Sequence, residues 1–318
     1  MSIATPDLIA LVGAIILAAI GGEAFLKGVL GVSGWLRVPK LLVATTLAAF
    51  ATSSPELTVS SVAALAGKPE IGLGDALGSN VVNIALILGM ALLFGGIRLA
   101  RGELARDFAL ALAVPIVTLI MAFDGVIERW EGGLLLAAFV VWMAFFVVRA
   151  GRAARETGDP AADTGHHVRA VLLGCIGLAA LIASGRLFVE GASGIASASG
   201  VHPYIVGAVV VAIGTSLPEF VTMLVARLRG HDEVGVGTLL GSNLFNGLAV
   251  IGTAAAIHPI RAPLEEIAIA TGFGILAVLL MWPGRSGAIG RGRGILLLAV
   301  YAAFVWTTLA AGSPAFLE

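Results

Sequence analysis

Two glutamates stand inside apolar sequence in nearly identical settings, ATSSPE at 51–56 and GTSLPE at 214–219, which end in Glu56 and Glu219. Each is followed by a second polar pair, Ser79 with Asn83 in GSNVVN and Ser242 with Asn246 in GSNLFN. Thr52, Glu56, Ser79 and Asn83 all precede their mates Thr215, Glu219, Ser242 and Asn246 by 163 positions. A charged carboxylate in hydrocarbon costs several kcal/mol unless something neutralises it, and a cation does so. Positions four apart share a helix face. Thr52 with Glu56, Ser79 with Asn83, Thr215 with Glu219 and Ser242 with Asn246 therefore each present two oxygens in one direction, and four helix faces could converge on one cluster. Pro55 and Pro218 remove a helical N–H and clash with the carbonyl four residues back, so they are expected to bend their helices and free the C=O of Ala51 and Gly214. Carboxylate, hydroxyl, amide and backbone oxygens are hard ligands suited to Na⁺ or Ca²⁺. The lack of His or Cys at these positions argues against zinc or copper. Packing explains a lone proline or a lone Asn in a span, but not a whole polar constellation written twice at one offset.

The elements that must hold these residues are membrane helices. Hydrophobic residues make up 58% of the chain and charged ones 12%, with mean hydropathy +1.02, against roughly 25% charged in an ordinary soluble domain. Apolar runs of about 20 residues suit helices crossing some 30 Å of hydrocarbon. Ten spans are expected: 8–30, 40–65, 71–96, 108–123 and 132–148, then 168–189, 204–228, 234–257, 267–282 and 294–311. Adding 163 to the limits of the first five lands on or near the second five. Five is odd, so the second copy enters the membrane from the opposite side. The expectation is an all-α polytopic membrane protein of ten transmembrane helices in two inverted five-helix repeats, 1–150 and 168–318, joined by a solvated cytoplasmic linker at 151–167.

Of the lysines and arginines, fifteen fall on one set of alternate connections and three on the other, with Arg186 inside a span. The rich side is expected to be cytoplasmic, which places both termini outside. MSIATPD lacks the basic flank of a secretory signal, so the first span reads as retained. Cys175, the single cysteine, reads as packing, and His166 and His167 as exposed residues with no metal role. GLGDALG at 72–78 lies in a span with no strand before it and is no nucleotide loop; Gly74 with Gly78 and Gly237 with Gly241 read as close-packing steps. Glu23 with Lys27, and Arg186 with Glu190, are equivalent pairs of reversed sign, expected to pair at i,i+4 within each helix. A sharper reading makes their helices a sliding gate.

Both motif copies resemble the α-repeats of the sodium/calcium exchanger branch of the cation/Ca²⁺ exchanger superfamily, whose signatures are GTSLPE and GSNxxN or GSNxxD. The resemblance covers all ten expected spans. It implies Ca²⁺ held centrally by Glu56 and Glu219 with flanking Na⁺ sites. It also implies roles for the hydroxyls of Thr52, Ser53, Thr215, Ser216, Ser79 and Ser242, and for backbone carbonyls near Ala49, Thr52, Ala212 and Thr215. Ala51 and Ser54 depart mildly from the usual Gly and Leu. Asn246 stands where relatives often carry Asp, so Asn83 and Asn246 add oxygens and no charge. Two carboxylates match one Ca²⁺ or two Na⁺, whereas the resemblance implies three Na⁺ per Ca²⁺.

The resemblance implies an antiporter in the plasma (inner) membrane that exchanges Na⁺ for Ca²⁺ by alternating access around a midplane site. Ca²⁺/H⁺ exchange is the alternative, and a cation channel a further one. An enzyme is not expected, because no nucleophile–base constellation accompanies the paired acids. Na⁺, Ca²⁺ and the lipid bilayer are the expected partners. No cofactor, nucleic acid or required protein partner is expected, and the chain should act as a monomer. Protons compete for the same carboxylate oxygens, so acidification should inhibit.

Overall fold

The computed structural model describes residues 5–99, 101–156, 164–198, 212–284 and 287–311. Apolar segments become helices because backbone groups in hydrocarbon must find their partners within the segment. In chain order these are α1 (Thr5–Leu36), α2 (Lys40–Thr52), α3 (Ser54–Leu65), α4 (Pro69–Leu93), strand β1 (Ile97–Arg98), α5 (Arg101–Met121), β2 (Val126–Ile127) and α6 (Arg129–Glu156). The second half runs α7 (Thr164–Ala198), α8 (Ala212–Thr215), α9 (Leu217–Leu228), α10 (Asp232–Ile257), β3 (Ile260–Arg261), α11 (Leu264–Met281), β4 (Ala288–Ile289) and α12 (Arg291–Ala311).

Among the described residues, eight helices are long and apolar enough to cross a membrane: α1, α4, α5, α6, α7, α10, α11 and α12. The chain is an integral membrane protein. The other two expected spans, 40–65 and 204–228, are the ones that carry the glutamates, and both are interrupted. The expectation of a bent but continuous helix over 40–65 is corrected. α2 ends at Thr52 and α3 starts afresh at Ser54, with Pro55 in its first turn, where a missing N–H costs nothing. Part of the seventh expected span, 204–211, lies outside the described residues. So does 157–163 of the expected linker, and α6 and α7 extend into the rest of it. The fold also contains strand, in two very short ladders.

The repeat extends to backbone detail. α3 and α9 begin and end 163 residues apart, and the strands Ile97–Arg98 and Ile260–Arg261 stand at the same offset. Gly67 and Gly230, equally spaced, follow α3 and α9 with φ of 76° and 74°, a left-handed conformation that suits glycine. β1 pairs antiparallel with β4, and β2 with β3, so each ladder joins a strand of one repeat to a strand of the other.

The chain forms two compact units, each drawing on both repeats: Met1–Thr52 with Trp142–Thr238, and Ser53–Val141 with Leu239–Glu318. In the first unit α1 packs along α7. Gly21 faces Ala180, Phe25 faces Gly177, Gly28 faces Gly174 and Gly31 faces Ala170, so numbers rise along one helix as they fall along the other and the two run antiparallel. A Cβ on Gly28 would overlap the Gly174 backbone. The outer side of α1 exposes Ile9, Val12, Ile15, Ile16 and Ile20, an apolar surface suited to lipid. In the second unit the buried part of α10 forms the centre, with Leu239, Leu240, Leu244 and Ile251 inaccessible and Phe245 meeting Phe139 edge-on at 5.4 Å. There α3 packs on α4 and α10, while α11 and α12 pack on α4.

Candidate cation-binding site

The two helix breaks have the same geometry. Ser53 has φ −89° and ψ 9°, and Ser216 has φ −85° and ψ 10°. Neither makes a side-chain cap bond. Beyond each break the new helix closes at once: Leu57 N–H donates to the Ser53 carbonyl at 3.2 Å and Phe220 N–H to the Ser216 carbonyl at 3.0 Å. Glu56 and Glu219 thus sit in the first turn of α3 and α9, where the helix dipole favours a negative charge. Both are 1% exposed.

Six of the expected ligand residues lie in the second unit. Ser53, Glu56, Ser79, Asn83, Ser242 and Asn246 are all buried there, with Glu56 on α3, Ser79 and Asn83 on α4, and Ser242 and Asn246 on α10. The other six lie in the first unit. Ala49, Thr52, Ser216 and Glu219 are buried and Thr215 half-buried, and Ala212 opens α8. The Thr52 hydroxyl donates to the Ala49 carbonyl at 3.3 Å, and the last turn of α2 packs on α9.

Asn83 and Asn246 occur in wide π-helical turns, 82–88 in α4 and 246–250 in α10. Such turns inside α-helices are frequent at functional sites. One turn earlier stand Asn80 and Asn243, also 163 apart and buried, which the sequence reading passed over as part of the GSN signature. Asn80 donates to the Asn243 backbone carbonyl at 3.4 Å, and Asn243 to that of Asn80 at 3.1 Å. Asn83 Nδ2 donates to Asn243 Oδ1 at 3.1 Å, and Asn246 Nδ2 to Asn80 Oδ1 at 3.2 Å. The Oδ1 atoms of Asn83 and Asn246 are buried and accept no hydrogen bond among the described residues. A second omission is Asp75, half-buried one turn before Ser79 on the same helix face. Subtracting 163 would have singled out the asparagine pair, and the i,i+4 spacing to Ser79 the aspartate. The π turns leave no such mark in the sequence.

Among the described residues no three His, Cys, Asp or Glu side chains cluster to hold a metal. Within each unit a buried glutamate is accompanied by hydroxyl or amide side chains that are themselves buried, oxygen donors of the kind hard cations take. Away from it, Glu23 pairs with Lys27 at 3.2 Å as expected, and also with Arg229 at 2.8 Å. Arg186 and Glu190 do not pair with each other, which corrects that expectation. An acid before a base is the better i,i+4 order, and here the base comes first. His167, expected to be exposed, is half-buried, with its ring stacked on Trp35 at 4.9 Å between centroids. The side chain of His166 lies outside the described residues.

Two helices that restart two residues before a buried glutamate, repeated at a constant offset among eight helices able to cross a membrane, define a membrane protein built from two like halves. The chain matches the sodium/calcium exchanger protein family over residues 7–148 and again over 169–310, and it belongs to that family. It is 32% identical over 287 residues to the inner membrane protein YrbG of Escherichia coli K12, covering 86% of each chain. It is 25% identical over 339 residues to the sodium/calcium exchanger MaX1 of Methanosarcina acetivorans, covering 94% of this chain and 97% of that one. Its fold is similar to that of the sodium-calcium exchanger NCX_Mj in a crystal soaked with zero Na⁺ and Ca²⁺. The TM-score is 0.82 and the identity 26%, over 95% of this chain and 99% of the other. The protein is a cation/Ca²⁺ exchanger of the antiporter type.

Proposed function

We propose that this exchanger couples Na⁺ entry to Ca²⁺ export by alternating access, with Glu56 and Glu219 as the charged ligands. The hydroxyls of Thr52, Ser53, Ser79, Thr215, Ser216 and Ser242, the amide oxygens of Asn83 and Asn246, and carbonyls near Ala49 and Ala212 complete the set. The observation that carries this reading is the burial of both glutamates at helix starts. A helix N-terminus contributes up to about 2 kcal/mol to a nearby carboxylate, while taking such a charge out of water costs several kcal/mol even after relaxation. A bound cation offsets part of that cost. The antiparallel α1–α7 packing and the exchanged strand ladders support two inverted repeats, with α1 and α7 as the sliding element of the alternation. The excess of basic residues on one set of connections supports a cytoplasmic linker and termini on the outer face of the plasma membrane.

The test is Ca²⁺ counter-flux in proteoliposomes with Na⁺, K⁺ and H⁺ gradients imposed separately. A Na⁺ gradient at clamped pH should drive saturable Ca²⁺ movement without single-channel current. Movement driven by the H⁺ gradient alone would assign Ca²⁺/H⁺ exchange instead. Protonation removes the charge that binds the cation, so Na⁺-driven flux should fall as pH drops from neutral to mildly acidic; a flat profile contradicts carboxylate ligation.

A further inference from the structure

The asparagine lattice of the second unit contains a chain of forced choices. A backbone carbonyl can only accept, so the end of Asn80 that faces the Asn243 carbonyl must be its NH₂, and likewise for Asn243 facing Asn80. This turns Oδ1 of Asn80 toward Asn246, and Oδ1 of Asn243 toward Asn83, where each can only be met by an NH₂. The amides of Asn246 and Asn83 thereby have their orientation settled as well, with Oδ1 on the far side, buried and accepting no hydrogen bond among the described residues. An amide whose two ends are not so constrained can turn either way. Turned the wrong way, it would offer a cation a donor instead of an oxygen.

We propose that Asn80 and Asn243 are positioning residues that fix the amide orientation of Asn246 and Asn83, so that both ligand amides present oxygen to the transported cation. The inference rests on the reading of Asn83 and Asn246 as ligands. The control is crossed: Asn80, on α4, governs Asn246 on α10, and Asn243, on α10, governs Asn83 on α4. No residue governs the ligand amide on its own helix. The end that the two ligand amides present to the cation thus depends on four neutral side chains whose orientations derive from two main-chain carbonyls.

The crossing supplies a test that loss of packing cannot imitate. An aspartate has oxygen at both ends and no orientation to lose, so the Asn246→Asp variant should be indifferent to Asn80. Half-saturating Ca²⁺ is read from Na⁺-driven flux in proteoliposomes and from Ca²⁺-dependent thermal stabilisation of the purified protein. Asn80→Ala should raise it roughly ten-fold in the unmodified chain and in the Asn83→Asp variant, the scale expected when a buried hydrogen-bonding partner is removed. In the Asn246→Asp variant it should leave the value unchanged or lower it. Asn243→Ala should mirror this, with its effect vanishing only in Asn83→Asp. Asn80→Ser and Asn243→Ser, which keep a hydroxyl near the carbonyl but withdraw the amide acceptor, should give the same pattern with less loss of folded protein. An Asn80→Ala effect of equal size in both aspartate backgrounds overturns the proposal and leaves the ligand reading standing. Unchanged half-saturation in Asn83→Leu and Asn246→Leu overturns the ligand reading, and the proposal with it.

Discussion

The two repeats meet inside each unit, and the two meetings are built in opposite ways. In the first unit α1 and α7 approach closely at glycine and alanine between Gly21 and Gly31, with the Ser184 hydroxyl on the Ala14 carbonyl at 2.8 Å as a directional tie. In the second unit α4 and α10 are tied by four amide hydrogen bonds whose orientations are mutually fixed. Close packing of small residues resists separation but has few directional bonds to break when one helix moves along the other. A buried amide network resists both, because any shift leaves buried donors unmet. Under the proposed function the difference amounts to a division of labour: the glycine seam is the part built to slide, and the asparagine lattice the part built to hold its amides in place.

The seam offers the largest expected effect. Gly28→Val places side-chain atoms where the Gly174 backbone stands, an overpacking cost of about 3 kcal/mol or more, and should abolish Ca²⁺ flux. Gly34→Val, on the same helix with nothing within 4 Å of its Cβ position, should stay within about two-fold of wild type, as expected of an uncrowded site. Equal behaviour of the two would break the seam's side of the comparison. Next comes the lattice. Asn80→Ala with Asn243→Ala removes all four bonds and should cost roughly 2–4 kcal/mol, read as a lower unfolding temperature in detergent. Ser184→Ala should cost about 1 kcal/mol and leave the transport rate unchanged or raised, since it removes a tie across the seam; a slowed rate would argue that this bond helps the motion. The smallest stability effect is expected of Glu23→Gln, whose exposed ion pairs are worth about 1 kcal/mol or less. The readout there is the flux rate. A several-fold change at unaltered unfolding temperature would sharpen the sliding picture, and no change would remove Glu23 from it.

Much of this organisation was legible in the chain. The constant offset exposed the repeat, and both glutamates lie buried at mirrored helix starts. The proline signal was read with the wrong consequence. A proline three residues after Thr52 suggested a bend, but the chain breaks at Ser53 so that Pro55 falls where its missing N–H is harmless. The small residue at position 214 also has a cause visible only in three dimensions. A Cβ there would strike Val189 of α7, whereas Ala51, its mate, packs against the core of the same unit. The asparagine lattice leaves no mark in a pattern of groups that face a cation. Asn80 and Asn243 face other asparagines, and their role depends on an order of hydrogen bonds that only assembly creates. The π turns are equally silent, since a wide turn differs from an α turn in backbone pairing and not in residue type.

The most direct measurement is equilibrium ⁴⁵Ca²⁺ binding to the purified protein, with Na⁺ as competitor, in the wild type and in Glu56→Gln and Glu219→Gln. The wild type should bind Ca²⁺ saturably and release it to Na⁺, and each substitution alone should remove that binding. Wild-type binding in either variant would contradict the assignment of these two buried acids as the exchanger's charged ligands.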